Sequence, residues 1–296
     1  MDTKPPQTSE QAPVCTCGAV KPKSNKAKKW LKYVVVILSL SAVYFITKKP
    51  SQRLTMTHEE WDIFIKDHPY EAPAADAFRS PCPFLNTFAN HGILPRSGNA
   101  TYDDYYRAMT IAGTTPSVTK SFLNSVFYAY KEINPSESIW SDLHKAPYVT
   151  FQHIGQHNIL EHDISLTRLD AAQEPDFTIP NAERIQSIID TADKSTSMVG
   201  EKQLSDFRRG KWNEAAARPR STYHFGLFFQ FTSAMECVLL LDYLGHDHQI
   251  SVDHLESFTL KERIPDDWYP LEQPLTTMNL IKRTRSCFMS VRKSKA

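Results

Sequence analysis

The chain has 296 residues, enough for one large domain or two small ones, and its 41% hydrophobic content can supply a sizeable buried core. A formal charge of +1, with Lys and Arg interleaved with acids except near the N-terminus and at the extreme C-terminus, creates no overall basic field and argues against a nucleic-acid partner. Five cysteines (Cys15, Cys17, Cys82, Cys237, Cys287) form no CxxC or evenly spaced set, so neither a zinc finger nor a disulfide framework is indicated and any cysteine that matters is expected to matter singly.

Residues 1–29 are polar and rich in Pro and Lys, with too few large apolar side chains to offset chain entropy, which predicts a disordered tail. Residues 30–47, WLKYVVVILSLSAVYFIT, are interrupted only by Lys32 and approach the length at which a helix spans hydrocarbon. A cleavable signal peptide is the competing reading. It would begin near residue 1, however, and no small-residue cleavage site follows Ile46 before Lys48-Lys49. A retained transmembrane anchor is therefore expected. Lys21, Lys23, Lys26, Lys28, Lys29 and Lys32 outnumber Lys48, Lys49 and Arg53, so the tail is expected to be cytosolic and the domain at 55–296 lumenal or extracellular.

Thr57-His-Glu-Glu60 has the form of a reciprocal cap, and Trp61, Ile63, Phe64 and Ile65 behind it suit a short helix. In Arg79-Ser-Pro-Cys-Pro-Phe-Leu-Asn86, the proline after Cys82 pushes that cysteine out of the α region while Pro83 fits a first helical position. Cys82 is thus expected at a helix N-terminus, where free amides and the macrodipole lower a thiol pKa and favour an anionic sulfur ligand. A buried structural cysteine in a Pro-rich turn reads the same way locally. Asn99-Ala-Thr101 is the only usable N-glycosylation sequon and sits in a polar turn.

Asp103 to Ala112, Val118 to Ile133, Asn181 to Thr191, Glu201 to Ala216 and Phe225 to Leu244 read better at a period of 3.6 than of two, and strand-like runs are few and short. With nine glycines and no βαβ alternation, the reading is all-α: a single helical domain with long connections, especially Leu166 to Pro180, behind one N-terminal transmembrane helix.

Glu161-His162-Asp163-Ile-Ser165 follows an apolar pair and offers a carboxylate, a hydroxyl and carbonyls, hard oxygens suited to Mg²⁺; Asp163 is placed to orient the His162 imidazole. A solvated turn is the plainer reading. His153 and His157 lie four apart, but HIGQH lacks the glutamate of the HExxH zinc motif. In Phe225 to Leu244, Gln230, Glu236 and Asp242 favour a buried core helix over a second membrane span. Glu236 in mid-helix is costly to bury. Desolvation is expected to raise its pKa and make it an acid–base group, unless it points to a polar face or pairs with an arginine.

Taken in this order, SPCPFLNTFANHGILPRSG (80–98), EHDISLTRLD (161–170) and AMECVLLLDYLG (234–245) resemble the fungal heme-thiolate haloperoxidases and unspecific peroxygenases, the chloroperoxidase family, and DHLESFTLKERIPDDW (253–268) resembles that family's C-terminal region. The resemblance implies a heme b bound through a Cys82 thiolate. It implies a Mg²⁺ on Glu161, the His162 carbonyl and Ser165, and an acid–base pair of Glu236 and His162. It also implies hydrogen peroxide as oxidant and an organic substrate or halide as reductant, with a place in fungal secondary metabolism among the family's roles. Leu160, Phe228, Thr232 and Met235 are the pocket-lining candidates, although an ordinary core stripe looks the same. An apolar lining favours a hydrophobic organic substrate. Met235 is bulkier than the small residue the family leads one to expect there, and the anchor departs from the family's secreted habit. Other classes stay open: a membrane-tethered binding protein on the same fold, or a metal hydrolase built on His153 and His157.

Overall fold

Reciprocal caps and prolines at first helical positions set where the helices begin in the computed structural model, which describes residues 55–130, 149–176 and 178–296. The tail and anchor expected at 1–29 and 30–47 lie outside the described residues.

Helix α1 (His58–Lys66) starts as expected: Glu60 N donates to Thr57 Oγ1 at 3.2 Å and Thr57 N to Glu60 Oε2 at 2.8 Å. Its one buried side chain, Trp61, meets Trp268 edge to face at 5.2 Å, and Phe88 and Phe258 pack on the same indole. Helix α2 (Pro83–Asn90) carries Pro at its first position, as does α4 (Pro116–Ala129), while α3 (Tyr102–Ile111) is capped by Thr101 and Asp104 reciprocally. A short α5 (Phe151–Ile154) leads into an irregular stretch that runs to Pro180.

Helix α6 (Ala182–Ile189) is capped by Asn181, and α7 (Glu201–Ala216) matches the expected span. Helix α8 (Leu227–Val238) continues as a π-helical turn, Leu239–Leu244, so the apolar run read as one helix is two geometries. By length and composition Leu227–Leu244 passes as a membrane span, but 56% of it is buried in the domain. The π turn is anchored by Tyr243 Oη donating to the Met109 carbonyl at 2.6 Å and by Trp268 Nε1 donating to Leu244 O at 3.0 Å. Helix α9 (Val252–Glu256) is followed by a second π turn that ends on Glu262, in the left-handed region at φ 49°.

Strands are as scarce as the sequence suggests. Strand β1 (Asn99–Ala100) pairs antiparallel with β2 (Val149–Thr150), and β3 (Met198–Gly200) with β4 (Gln249–Ser251), Val199 facing Ile250.

Two features were not anticipated. A final helix α10 (Thr277–Lys293) packs along α7 and α8; its sequence is basic and polar, and only Thr284, Cys287 and Val291 are buried. Cys237 on α8 and Cys287 on α10 form a disulfide, so these cysteines do not act singly. Fifty residues separate them in sequence, and no local spacing marks such a pair.

Candidate active site

The Cys82 loop is built by its neighbours. Asn86 Oδ1 accepts from Ser80 N at 2.9 Å, Asn86 Nδ2 donates to Ser80 O at 2.8 Å and to Glu262 Oε1 at 2.7 Å, and Glu262 in turn accepts from Arg168 Nη2 at 2.5 Å. Gly98 closes the other side at φ +77°; any Cβ there would sit 2.4 Å from the Phe78 carbonyl. The result sets Cys82, in extended backbone, as the N-cap of α2.

Cys82 is half-buried at the start of α2. Burial pushes its thiol up, and the amides of Leu85 and Phe84 and the Arg168 charge pull against that without reversing it. Helix-terminus stabilisation is present, as anticipated, but burial outweighs it. Arg168, fully buried, lies within electrostatic reach of both Cys82 and Glu236, and its Nε has no partner among the protein atoms.

Glu236, on α8, retains 29% side-chain exposure. Its Oε2 accepts from Arg208 Nη2 of α7 at 2.7 Å, and its Oε1 accepts from Ser165 Oγ and from Leu166 N, both at 3.2 Å. Burial alone would raise this carboxyl. The Arg208 charge and hydrogen bond, with the Leu166 amide, outweigh burial and hold it below the ordinary range, so the raised pKa expected from the sequence is corrected to a depressed one. The pairing with an arginine that was the plainer alternative is what the structure contains.

His162 is buried beside Glu236, its ring 6.0 Å from Phe225 and from Phe229. Burial lowers its pKa, favouring the neutral ring. Its Nδ1 contacts the Asp163 carbonyl at 2.8 Å; a carbonyl only accepts, so Nδ1 carries the proton and Nε2 is left as an acceptor. The expectation that the Asp163 carboxylate orients this ring is therefore corrected: the backbone carbonyl does so. The carboxylate accepts from His224 N at 2.7 Å and lies 3.8 Å from His157, with its other oxygen buried and unpartnered among protein atoms.

The groups expected to hold Mg²⁺ are engaged with protein partners, and a Mg²⁺ site finds no support. The Glu161 carboxylate accepts from His157 Nδ1 at 2.5 Å while Ser165 turns to Glu236, and among the described residues no group of three His, Cys, Asp or Glu gathers to hold a metal. His153 Nδ1 accepts from Thr150 N, and among the described residues no metal-holding group includes His153 and His157.

Leu160, Thr232 and Met235 are half-buried, compatible with a lining role, whereas Phe228 stands 58% exposed at the outer end of α8. Two cavities of about 250 and 230 Å³ occur elsewhere, beside Ile111 and beside Arg79; neither is lined by Cys82, His162 or Glu236. Arg168 and Arg208 escaped the sequence reading because each is linked to its carboxylate across 94 and 28 residues, respectively.

A helical domain that holds a helix-capping thiol within electrostatic reach of an arginine-held carboxylate defines a thiol–carboxylate acid–base site. The model of the family described as "Peroxidase, family 2" matches residues 68–273, and the chain belongs to that family. It is similar to an aromatic peroxygenase of Cyclocybe aegerita, 25% identical over 225 residues, covering 70% of this chain and 58% of the relative. It is also similar to the dothistromin biosynthesis peroxidase dotB of Dothistroma septosporum, 26% identical over 235 residues, covering 69% of this chain and 55% of the relative. A chloroperoxidase of Leptoxyphium fumago is 30% identical over 107 residues, 36% of this chain and 27% of the relative. The chain thus spans little more than half the length of the first two relatives.

Proposed function

We propose that the chain is a heme-thiolate peroxidase or peroxygenase that uses hydrogen peroxide to oxidise or oxygenate a hydrophobic small organic molecule. The observation that carries this reading is the meeting of Cys82 and an arginine-held Glu236 within electrostatic reach of one another, both only partly buried. Cys82 is the one free cysteine among the described residues.

The donor set fits heme b. Cys82 would supply a thiolate ligand, with the Leu85 and Phe84 amides and the Arg168 cation offsetting the sulfur's charge. When bound, such a heme supplies the redox centre at which the peroxide O–O bond is broken, and electron release from the thiolate favours that cleavage.

The chain's own groups handle the proton. Glu236, kept anionic by Arg208, is the base that takes a proton from hydrogen peroxide and, as its conjugate acid, returns it to the departing oxygen. His162 Nε2 is a second acceptor beside it, and the Asp163 carbonyl holds that ring's tautomer. Leu160, Thr232 and Met235 supply an apolar lining, with Phe228 towards the entrance, which favours an organic substrate over halide. The relative named for dothistromin biosynthesis supports an organic substrate and a place in secondary metabolism.

The anchor read at 30–47 would hold the domain to a membrane with the tail cytosolic. The Cys237–Cys287 disulfide supports an oxidising, lumenal or extracellular location.

An ultraviolet–visible spectrum of the purified full chain tests the reading. The protein should carry a Soret band, and its ferrous–carbon monoxide form the red-shifted band of thiolate ligation. Cys82→Ser should abolish that shift; its persistence would remove Cys82 as the ligand.

A further inference from the structure

Three large apolar side chains at the start of α8 are turned outward: Leu227 is 67% exposed, Phe228 58% and Phe231 50%. Isolated exposed apolar residues are ordinary, but three on adjoining positions of one helix face form a patch that asks for a partner. The rest of α8 is held firmly, since Phe229, Ser233, Ala234 and Cys237 are buried and α10 is disulfide-bonded to it. The outward turn is therefore not fraying.

One exposed cation is tied to the same helix. Arg292 is exposed, donates to Gln230 Oε1 at 2.8 Å and lies 4.6 Å from the centre of the Phe288 ring. An apolar ridge with an exposed arginine tied to its own helix is suited to a bilayer surface: the ridge enters the acyl boundary and the guanidinium group meets headgroup phosphates.

The length of chain outside the described residues names the same occupant. Between the anchor read at 30–47 and Thr55 lie only residues 48–54. Fully extended they reach roughly 25 Å, so an anchor at 30–47 would keep the domain close to the membrane.

We infer that the Leu227–Phe228–Phe231 ridge is a second membrane contact, which seats the domain on the lipid surface with the outer end of the Glu236 helix against the bilayer. The inference rests on the anchored, apolar-substrate reading above and narrows it to substrates dissolved in the membrane. Phe231 precedes Glu236 by five residues, roughly 7.5 Å along the helix axis, and Thr232 and Met235 occupy the intervening positions. An apolar substrate leaving the acyl phase at the ridge would have a short path to the carboxylate.

The test uses the full chain reconstituted into vesicles of phosphatidylcholine with a minority of phosphatidylserine. A benzophenone amino acid replaces either Leu227 or, as control, Ile63 of α1, which is equally exposed at 67%. After irradiation, lipid adducts are read by mass spectrometry, and flotation of the vesicles reports anchoring separately. The expected result is a lipid adduct at position 227 several-fold above that at 63, reduced in Arg292→Gln. A chain that floats but gives equal yields at the two positions, or no adduct at 227, overturns the inference and leaves the anchor standing. Adducts at 227 to a second copy of the chain overturn it in favour of a dimer face. A chain that does not float refutes the anchor, and the inference falls with it. Because Leu227 is exposed, the substituted chain should keep its Soret band, which checks that the fold is intact.

Discussion

Replacing Arg208 with glutamine asks whether one buried guanidinium sets the protonation of Glu236. The pair is separated by 2.7 Å, with Arg208 only 2% exposed and Glu236 29%. At an effective dielectric of about 20 the gross attraction is ~6 kcal/mol, much of it offset by desolvation. Removing one partner of a buried pair costs about 3–5 kcal/mol, and the residual exposure of Glu236 places this case towards the lower end. About 3 kcal/mol corresponds to a fall in Tm of roughly 6–12 °C for a domain of this size. The pH dependence follows from the depressed Glu236 pKa. Stabilisation by the pair is fully present above the ordinary glutamate value of about 4.3 and is lost as pH falls through the lower folded value. In Arg208→Gln, burial is left as the chief influence on Glu236 and raises it, so the acidic limb of peroxide-dependent kcat/KM should move to higher pH. Arg208→Lys, which keeps the charge, should move it back part of the way. The measurement is a pH–rate profile of the three proteins beside their thermal unfolding. An acidic limb identical in wild type and Arg208→Gln, with only Tm reduced, would refute the argument and leave Arg208 a purely structural residue.

Three further outcomes are expected. Glu236→Gln keeps the size and removes the proton, so it should retain the Soret spectrum and lose ~10²-fold or more of peroxide turnover, while a single-oxygen donor such as iodosylbenzene still supports oxidation; wild-type turnover with peroxide would remove Glu236 as the base. Cys287→Ser opens a crosslink between residues 50 apart and should cost about 4 kcal/mol in chemical denaturation, an effect that vanishes if the disulfide does not form in the native chain. Asn99 is exposed, and in a lumenal domain it should carry a glycan whose removal by endoglycosidase changes gel mobility; Asn99→Gln should already run at the shifted position.

Much of the helical layout was written locally. The Thr57–Glu60 cap, Pro83 behind Cys82 and the 3.6-residue period over 201–216 each act within one or two turns, so they can be read without knowing what the helix touches. The N-cap position of Cys82 belongs with these, because the prolines on either side restrict the backbone whatever the tertiary fold. Helix α10 escaped because its apolar positions are diluted by Lys and Arg, and only packing against α7 and α8 defines its buried stripe.

The sequence by itself determined the helical class, the location of the chemistry-bearing segments and, through the run ending NHGILPRSG with EHD-x-S, the family they resemble. Tertiary structure decided which of those groups meet and in what protonation state. Whether Glu236 is raised by burial or lowered by a cation depends on Arg208, 28 residues away on another helix; whether Ser165 faces Glu161 or Glu236 depends on how the segment after His162 crosses α8; and the Cys237–Cys287 bond depends on two helices lying side by side. Backbone preference is a property of a few adjacent residues, whereas a pKa, an ion pair or a disulfide is a property of groups brought within a few ångströms by the whole fold.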